Sequence, residues 1–395
     1  MGKFIKRLFT LLILGSVGFL IWGYFNGMRM NNTQEFISSI FSGKGIPESA
    51  QKNLVQENQE TVVSSEPTEE PSVSELLPLP ENPFESIDKH ARKCPESETK
   101  TVKTLATYLM QKAKTDEEKS RAIYVWLAQN ISYNDEEYNT GVYKTYNTED
   151  VLLKRTSVCE GYSNLYLALA TEMNLEAIKI SGYSKGYGYT EGEKFGKTDH
   201  AWNAVKINGA WKIVDATWGT GYTETVNGKA SSVKEFSNDW FNVEPAAAVF
   251  THFPESASNL FLEQTITLAD YQKMPCIRVS HFHLGFDANK TLTSVLKDPT
   301  KKIAEIYEIE THVEIVNAPE ELKLSRNKTY DFEIYVPRGF KAAMIDSKSK
   351  WHYFTSSNGI FKSTFKPTEL GELKLSVKYE GSGKSFYTLV EYEVE

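Results

Sequence analysis

The sequence predicts an α+β protein in which a core of helices and a hairpin precedes a region of short strands. After Cys159, apolar residues recur at the spacing of one buried helix face, namely at Tyr162, Leu165, Tyr166, Leu169, Ala170 and Met173. A β-hairpin follows around Asn208-Gly209, a pair that strongly favours a two-residue turn. From about residue 300 to 395, short apolar runs alternate with turn residues, and no helical pattern is present.

The chain starts with a basic segment followed by an apolar one. Lys3, Lys6 and Arg7 precede a run from Leu8 to Phe25 that contains no charged residue. A helix of this length spans about 27 Å, just adequate for a hydrocarbon core of about 30 Å. The flanking charges predict a cytoplasmic N-terminus, with the bulk of the chain outside the cytoplasm, at the cell surface or in the periplasm. We predict a retained single-pass membrane anchor over residues 1–30, with a cleaved signal peptide as the alternative.

A polar segment over residues 31–83 is rich in Asn, Gln, Ser, Glu and Pro. Its stretch from Val62 to Glu75 has too few apolar side chains to bury a core. We expect a disordered acidic linker here, which holds a folded domain over residues 84–290 away from the bilayer. The formal net charge of −8 argues against a nucleic-acid partner.

Cys159 lies where a helix is predicted to begin. Ser157 and Glu160 match the capping-box pattern, in which the two side chains satisfy N–H groups at the helix start. This places Cys159 in the first turn, where unpaired N–H groups and the helix dipole favour a thiolate over a thiol. Cys159 is therefore a candidate nucleophile.

The hairpin places His200 and Asp215. If Asn208 and Gly209 are the whole loop, His200 faces Thr217, and His200 and Asp215 become diagonal neighbours on one face. Such neighbours lie about 7–8 Å apart at the backbone, within reach of an imidazole–carboxylate hydrogen bond. A slip of one residue would put them on opposite faces. A thiol, a base and an orienting carboxylate are the components of a catalytic triad.

Several separate stretches resemble the transglutaminase-like superfamily. In order along the chain they are Asp116–Trp126, Asn130–Tyr133, Val158–Tyr162, His200–Asn203 and Trp211–Trp218. The continuation is similar to the branch of kyphoscoliosis peptidase and related cytokinesis proteins, in Trp218–Tyr222, Asp239–Pro245 and His252–Pro254. The resemblance covers about residues 100–285 and implies a papain-like core with a Cys-His-Asp triad.

Carried over by position, the resemblance implies that Cys159 is the nucleophile, His200 the general base and Asp215 the orienting acid. Tyr133 matches the aromatic residue that helps form the oxyanion site in the family. The family commonly has Gly where Ser157 stands, and the capping argument makes Ser compatible with the helix start.

A glycine- and tyrosine-rich segment, Gly182–Gly192, lacks the lysine–hydroxyl pair of a phosphate-binding loop. We expect a mobile loop between a strand near residues 177–181 and the strand of His200. Because binding residues concentrate on loops, Tyr183 is a candidate for the substrate groove, with packing over the core as the alternative. Trp218, expected mostly in the core, is a second candidate for the groove wall.

The remaining candidates have simpler interpretations. His281 and His283 lie on one side of a predicted strand, but no third ligand is nearby, so we predict structural histidines, no metal and no cofactor. Cys94 and Cys276 either pair or stay single. Arg121 is expected on the solvated face of a helix.

The C-terminal region, 300–395, is predicted to form six to eight strands in an immunoglobulin-like β-sandwich. It contains no cysteine, so no disulfide between its sheets is expected. It either binds a protein partner or packs on the enzyme.

Two classes of function follow. The first is a membrane-anchored, extracytoplasmic thiol enzyme that acts on peptide or carboxamide bonds through a thioester on Cys159. The resemblance favours a cysteine peptidase or amidase over a transglutaminase, with a protein or a cell-wall peptide as substrate. The alternative is a catalytically inactive transglutaminase-like module that binds envelope or division proteins.

Overall fold

The structure is a computed structural model that describes residues 82–144, 147–309, 311–381 and 386–395. The anchor predicted over 1–30 lies outside these ranges, as does the linker predicted over 31–83 apart from its last two residues. Within the described ranges, no helix is both long enough and apolar enough to span a bilayer.

Six helices make up the first half of the described chain. The longest begins after Thr115, where a capping box with Glu118 satisfies the first N–H groups. The six are α1 (Glu85–Arg92), α2 (Val102–Leu109), α3 (Asp116–Asn130), α4 (Asp135–Thr140), α5 (Thr148–Lys154) and α6 (Cys159–Glu172), with a 3₁₀ turn at Glu96–Thr99. Two short parallel strands, β1 (Ser132–Tyr133) and β2 (Thr156–Ser157), connect this layer.

An antiparallel four-stranded sheet packs against α6. Its strands are β3 (Ala177–Ser184), β4 (His200–Ile207), β5 (Ala210–Val214) and β8 (His252–Pro254), in the order β5-β4-β3-β8. A hairpin of β6 (Gly221–Val226) and β7 (Lys229–Lys234) stands apart from this sheet and follows a 3₁₀ turn at Trp218–Thr220.

The core between helices and sheet is apolar and closely packed. Leu165, Tyr166 and Leu169 of α6 are fully buried between the sheet and the helices α2 and α3. The periodic pattern after Cys159 is thus the face of α6 that packs into the protein, and α6 holds its first residue against the sheet.

Four short helices occur after the β6–β7 hairpin, the first of them before β8. They are α7 (Pro245–Ala248), α8 (Leu268–Lys273), α9 (Val279–His283) and α10 (Ala288–Lys297), with a 3₁₀ turn at Ala257–Leu260. The strand predicted around His281 is wrong, because those residues form α9.

The C-terminal region consists of short strands in two sheets that share one apolar core. One sheet has the order β10-β12-β16-β15, and the other β11-β18-β17-β13-β14 with β9 beside β18. Their bounds are β9 (Glu305–Ile306), β10 (Glu314–Asn317), β11 (Lys323–Leu324), β12 (Tyr330–Tyr335), β13 (Phe340–Ile345), β14 (Trp351–Tyr353), β15 (Thr355–Ser357), β16 (Ile360–Phe365), β17 (Gly371–Tyr379) and β18 (Tyr387–Val394).

A backbone contact joins the last helices to these sheets. The N–H of Ile315 in β10 donates to the carbonyl of Leu284 at 2.6 Å. Gly285 beside it has φ +119°, and a Cβ there would overlap the backbone of Ile315. Phe282 packs against the apolar cores on both sides of this contact.

Candidate active site

Cys159 is the first residue of α6, as predicted, but the predicted capping box is absent. The residue before the helix is Val158, and no side chain caps it. Ser157 is instead held by β-pairing with Tyr133, and its buried hydroxyl has no hydrogen-bond partner. Glu160 turns away and pairs with Lys179 at 2.5 Å. The strand pairing of Ser157 thus overrides its local preference for capping, while Cys159 keeps its place at the helix start.

The hairpin has the predicted two-residue loop and register. Asn208 and Gly209 have φ of 50° and 82°, the positive values that a tight hairpin turn requires. The ladder pairs Ile207 with Ala210 and runs to Asn203 opposite Val214. It ends there, so the expected pairing of His200 with Thr217 does not form.

The predicted contact between imidazole and carboxylate is nevertheless made. Asp215 follows the last residue of β5, and Nε2 of His200 lies 2.6 Å from its Oδ2. Because Nε2 is taken by Asp215, the other ring nitrogen of His200 remains for a further partner, and Cys159 lies close enough to raise the pKa of this imidazole. The structure therefore brings Cys159, His200 and Asp215 together in the predicted order.

The carboxylate of Asp215 is buried and fully engaged. Its side chain is 1% exposed. Oδ1 accepts from the backbone N–H groups of Thr217 at 2.8 Å and Trp218 at 3.0 Å, while Oδ2 accepts from His200 and from His252. Burial would raise the pKa of Asp215, but the two imidazoles outweigh burial and hold this pKa well below its usual range. Asp215 is thus a fixed negative charge.

His200 is correspondingly held as a cation. Burial disfavours the imidazolium, but the Asp215 carboxylate and then the Cys159 sulfur outweigh it and raise the pKa of His200 to about 10. An imidazolium beside a cysteine favours the thiolate form of that cysteine. The arrangement can therefore hold a nucleophile and a proton donor side by side at neutral pH.

A cleft of about 680 Å³ opens beside His200. Tyr133 and Trp218, two residues predicted near the reaction centre, line it, whereas Cys159 is not among its lining residues. Tyr133 lies close enough to Cys159 to feel its charge, and burial is the main reason that the pKa of this phenol is raised. Tyr133 therefore stays a hydrogen-bond donor at neutral pH, which is the form that an oxyanion site needs.

Tyr183 does not line this cleft, contrary to the expectation for it. The strand β3 extends to Ser184, so Tyr183 lies within the sheet, and its ring packs on Phe253 and Phe195. Two tyrosines further along the loop, Tyr187 and Tyr189, line the cleft instead.

Comparison with known proteins gives the family. The family described as Transglutaminase-like superfamily matches residues 103–216, a range that contains all three triad residues. The resemblance to the transglutaminase-like superfamily, predicted from the sequence, is thus confirmed over this range. The α+β core predicted from the sequence is the core of this superfamily.

Relatives with curated names confirm the predicted branch of the superfamily. Mouse (Mus musculus) kyphoscoliosis peptidase is 26% identical over 324 residues, which are 81% of this chain and 44% of that protein. Hillarin of Drosophila melanogaster is 28% identical over 216 residues, 51% of this chain and 26% of that protein. Cytokinesis protein 3 of Schizosaccharomyces pombe is 24% identical over 221 residues, 54% of this chain and 24% of that protein. The chain thus spans less than half the length of these relatives.

His252 also belongs to the site, although no role was predicted for it from the sequence. It is the first residue of β8, and its Nε2 lies 3.1 Å from Oδ2 of Asp215. Its presence in the family-like His-Phe-Pro stretch was the available signal, but 37 positions separate it from Asp215. Only the pairing of β8 with β3 brings it to the site.

His200, Asp215 and His252 are the group of described residues whose geometry comes nearest to a metal site, since their ligand atoms lie within 4.8 Å of one another. The same nitrogens and oxygen are hydrogen-bonded to each other, at 2.6 and 3.1 Å. Ligands at Zn–N distances of 2.0–2.1 Å in a tetrahedron stand about 3.3 Å apart, so the 2.6 Å pair is a hydrogen bond in geometry. We assign no metal to it.

The other candidate residues lie away from the triad. His281 is buried 3.5 Å from Glu320, and His283 lies 3.4 Å from Asp239, so each has its own carboxylate. Cys94 and Cys276 are both free thiols in this structure.

Arg121, expected on a solvated face, is buried. It donates two hydrogen bonds to Asp88 at 2.8 and 2.7 Å. The charge pattern of α3 alone does not predict this burial, because the carboxylate of Asp88 comes from another helix, α1.

Proposed function

We propose that this chain is a thiol enzyme that cleaves peptide or carboxamide bonds through a thioester on Cys159. The observation that carries the proposal is the 2.6 Å contact between His200 and Asp215. Cys159, the first residue of α6, lies close enough to the same imidazole to raise its pKa. A buried base oriented by a carboxylate and directed at a helix-start thiol is the arrangement that covalent catalysis requires.

The chemistry would run as two acyl transfers. The Cys159 thiolate attacks the carbonyl carbon, the C–N bond breaks, and the imidazolium of His200 gives its proton to the departing amine. Water then attacks the thioester, and His200 takes a proton from that water. The C–S bond breaks, a carboxylic acid leaves, and the thiolate returns. The Tyr133 hydroxyl would donate to the carbonyl oxygen as negative charge develops on it.

The cleft supports a polypeptide substrate of mixed charge. Its lining pairs tyrosine rings and Trp218 with both acidic and basic side chains: Asp135, Glu193, Asp199, Lys194, Lys197 and Lys234. Neither sign predominates, which fits a protein or cell-wall peptide better than a polyanion such as a nucleic acid. The mouse and human relatives named kyphoscoliosis peptidase favour hydrolysis over transamidation.

The location and the C-terminal region belong to the same proposal. The uncharged run from Leu8 to Phe25 after three basic residues supports a single-pass anchor with the enzyme outside the cytoplasm. The two packed sheets after residue 300 support an immunoglobulin-like β-sandwich that offers a surface to a protein partner. Protease accessibility of the C-terminal region in intact cells tests the orientation.

The reactivity of Cys159 is the direct test of the enzyme. The purified chain is treated with iodoacetamide from pH 5 to 9, and each cysteine is followed by mass spectrometry. Cys94 and Cys276 are internal controls: burial raises the pKa of Cys94 to about 11, while Cys276 is an exposed free thiol. We expect fast labelling of Cys159 well below pH 8.5, the ordinary pKa of a free cysteine, and its loss in His200→Ala.

A second measurement separates the reactions. A fluorogenic peptide library is incubated with and without a primary amine, and Cys159→Ala is the inactive control. Peptide cleavage that the amine leaves unchanged supports hydrolysis, while amine incorporation supports transamidation. If Cys159 labels no faster than an ordinary thiol and ignores His200→Ala, the inactive binding module becomes the better proposal.

A further inference from the structure

The geometry points to a fourth member of the site, in an inference that rests on the proposed reaction. We propose that His252 is a positioning residue, which holds the Asp215 carboxylate through an Nε2–H···Oδ2 hydrogen bond in the orientation that accepts His200.

The hydrogen bonds around Asp215 carry the argument. His252 and His200 donate to the same oxygen, Oδ2, at 3.1 and 2.6 Å. Two backbone N–H groups hold Oδ1. Without His252, the carboxylate could turn about its Cβ–Cγ bond and keep only part of its bond to His200. With His252 present, such a turn breaks a buried hydrogen bond to a charged group.

The other side of the His252 ring fixes its tautomer. Nδ1 lies 3.1 Å from the hydroxyl of Thr251. In a neutral imidazole one nitrogen donates and the other accepts, so Nε2–H toward the carboxylate makes Nδ1 the acceptor and Thr251 the donor. Burial is the main reason that the pKa of His252 is lowered to about 4. His252 is therefore a neutral donor at physiological pH, and the negative charge of Asp215 remains available to His200.

Three indole rings hold the imidazole of His252 in place. The ring centroids of Trp218, Trp240 and Trp202 lie 4.4, 4.3 and 4.9 Å from that of His252. Its side chain is 1% exposed. This enclosure keeps water from competing for Oδ2 and prevents the ring from flipping to another partner.

Other ionisable groups also face this cluster. They come from different elements: Cys159 from α6, Asp199 before β4, Tyr124 from α3 and Tyr162 from α6. None of them is hydrogen-bonded to Oδ2 of Asp215, so the effect of His252 on that oxygen can be separated from theirs.

The test uses two amides that place their N–H groups differently. In His252→Gln the side-chain nitrogen reaches the position of Nε2, so the donor to Asp215 is kept. In His252→Asn it reaches only the position of Nδ1, so that donor is lost. His283→Asn, at a half-exposed histidine that pairs with Asp239, is the matched control.

The readout is the NMR titration of His200 in the full chain labelled with ¹⁵N-histidine, with thermal unfolding recorded alongside. We expect His200 to stay protonated beyond pH 8 in the wild type, in His252→Gln and in His283→Asn. In His252→Asn we expect the titration midpoint of His200 to fall by at least one pH unit, which means that His200 binds its proton at least about tenfold more weakly. Labelling of Cys159 at pH 6.5 should slow by about tenfold or more.

The outcomes are distinguishable. An unchanged His200 midpoint in a folded His252→Asn protein overturns the positioning role, and so does a midpoint that rises, because His252 would then act only by sharing charge. The midpoint of His200 is read by NMR without any reaction. A wild-type Cys159 that labels like an ordinary thiol therefore overturns the proposed function and leaves the His252 result standing on its own.

Discussion

Replacement of Asp215 by Asn is the perturbation whose effect the structure defines best. The amide oxygen can still accept from the N–H groups of Thr217 and Trp218, which hold Oδ1. The amide nitrogen then faces the Nε2 donors of His200 and His252, which both require an acceptor. The variant thus removes the charge and also places a donor against two donors.

The expected magnitude follows from burial. Removing one partner of a buried ion pair costs about 3–5 kcal/mol in the free energy of unfolding. In the wild type the pKa of His200 is raised to about 10 against the effect of burial. Without the carboxylate, burial prevails and the pKa of His200 falls below its ordinary value of about 6.5. Cys159 then has no imidazolium beside it, and we expect its labelling by iodoacetamide at pH 6 to slow by about tenfold or more.

Two assays measure the two effects. Denaturant unfolding gives the loss of stability, and iodoacetamide labelling at pH 6 gives the thiolate fraction. Asp346→Asn is the matched control, because Asp346 also accepts from two backbone N–H groups and from a histidine, His352 at 2.9 Å, in the C-terminal sheets. It should lower stability and leave the labelling of Cys159 unchanged within about twofold.

A folded Asp215→Asn protein in which Cys159 labels at the wild-type rate at pH 6 would contradict this prediction. It would be refuted equally if Asp346→Asn slowed labelling as much as Asp215→Asn, since a general loss of stability would then explain both.

The structure supports three further predictions. The stabilisation from His200 is complete below pH 6.5 and is lost as pH rises through its pKa of about 10. The stabilisation from His252 is complete above pH 6.5 and is lost as pH falls toward its pKa of about 4. The free energy of unfolding, measured at a series of pH values, should therefore have a maximum near pH 6.5, with slopes of up to about 1.4 kcal/mol per pH unit on either side. Gly182→Ala should cost about 3 kcal/mol by denaturant unfolding, because the added Cβ overlaps a backbone carbonyl of β8. Gly285→Ala should cost about 1–3 kcal/mol through its positive φ and overlap with Ile315, with unchanged labelling of Cys159.

The parts of the site that local sequence determines were predictable. Asn208-Gly209 closes the hairpin in one register, and that register brings His200 and Asp215 to the same place. The apolar spacing after Cys159 marks the helix, and the structure begins that helix at Cys159 itself. In both cases the signal and the structure lie within about fifteen residues of each other.

The parts that depend on distant partners were not predictable in this way. Ser157 has the sequence of a helix cap, but its backbone is paired with Tyr133. Arg121 has the sequence context of a surface residue, but α1 places the carboxylate of Asp88 beside it. His252 reaches Asp215 only because β8 adds to the far side of β3. Tertiary pairing decides each of these, and no local pattern encodes it.

The position of β8 at the edge of the sheet sets the order in which the site is completed during translation. A chain that has emerged as far as Asp215 can already close the hairpin and bring His200 to the carboxylate. The imidazole of His252 is synthesised 37 residues later, and β8, which carries it, is the last strand of that sheet along the chain. In a chain that ended before β8, Oδ2 of Asp215 would lack the hydrogen bond from His252.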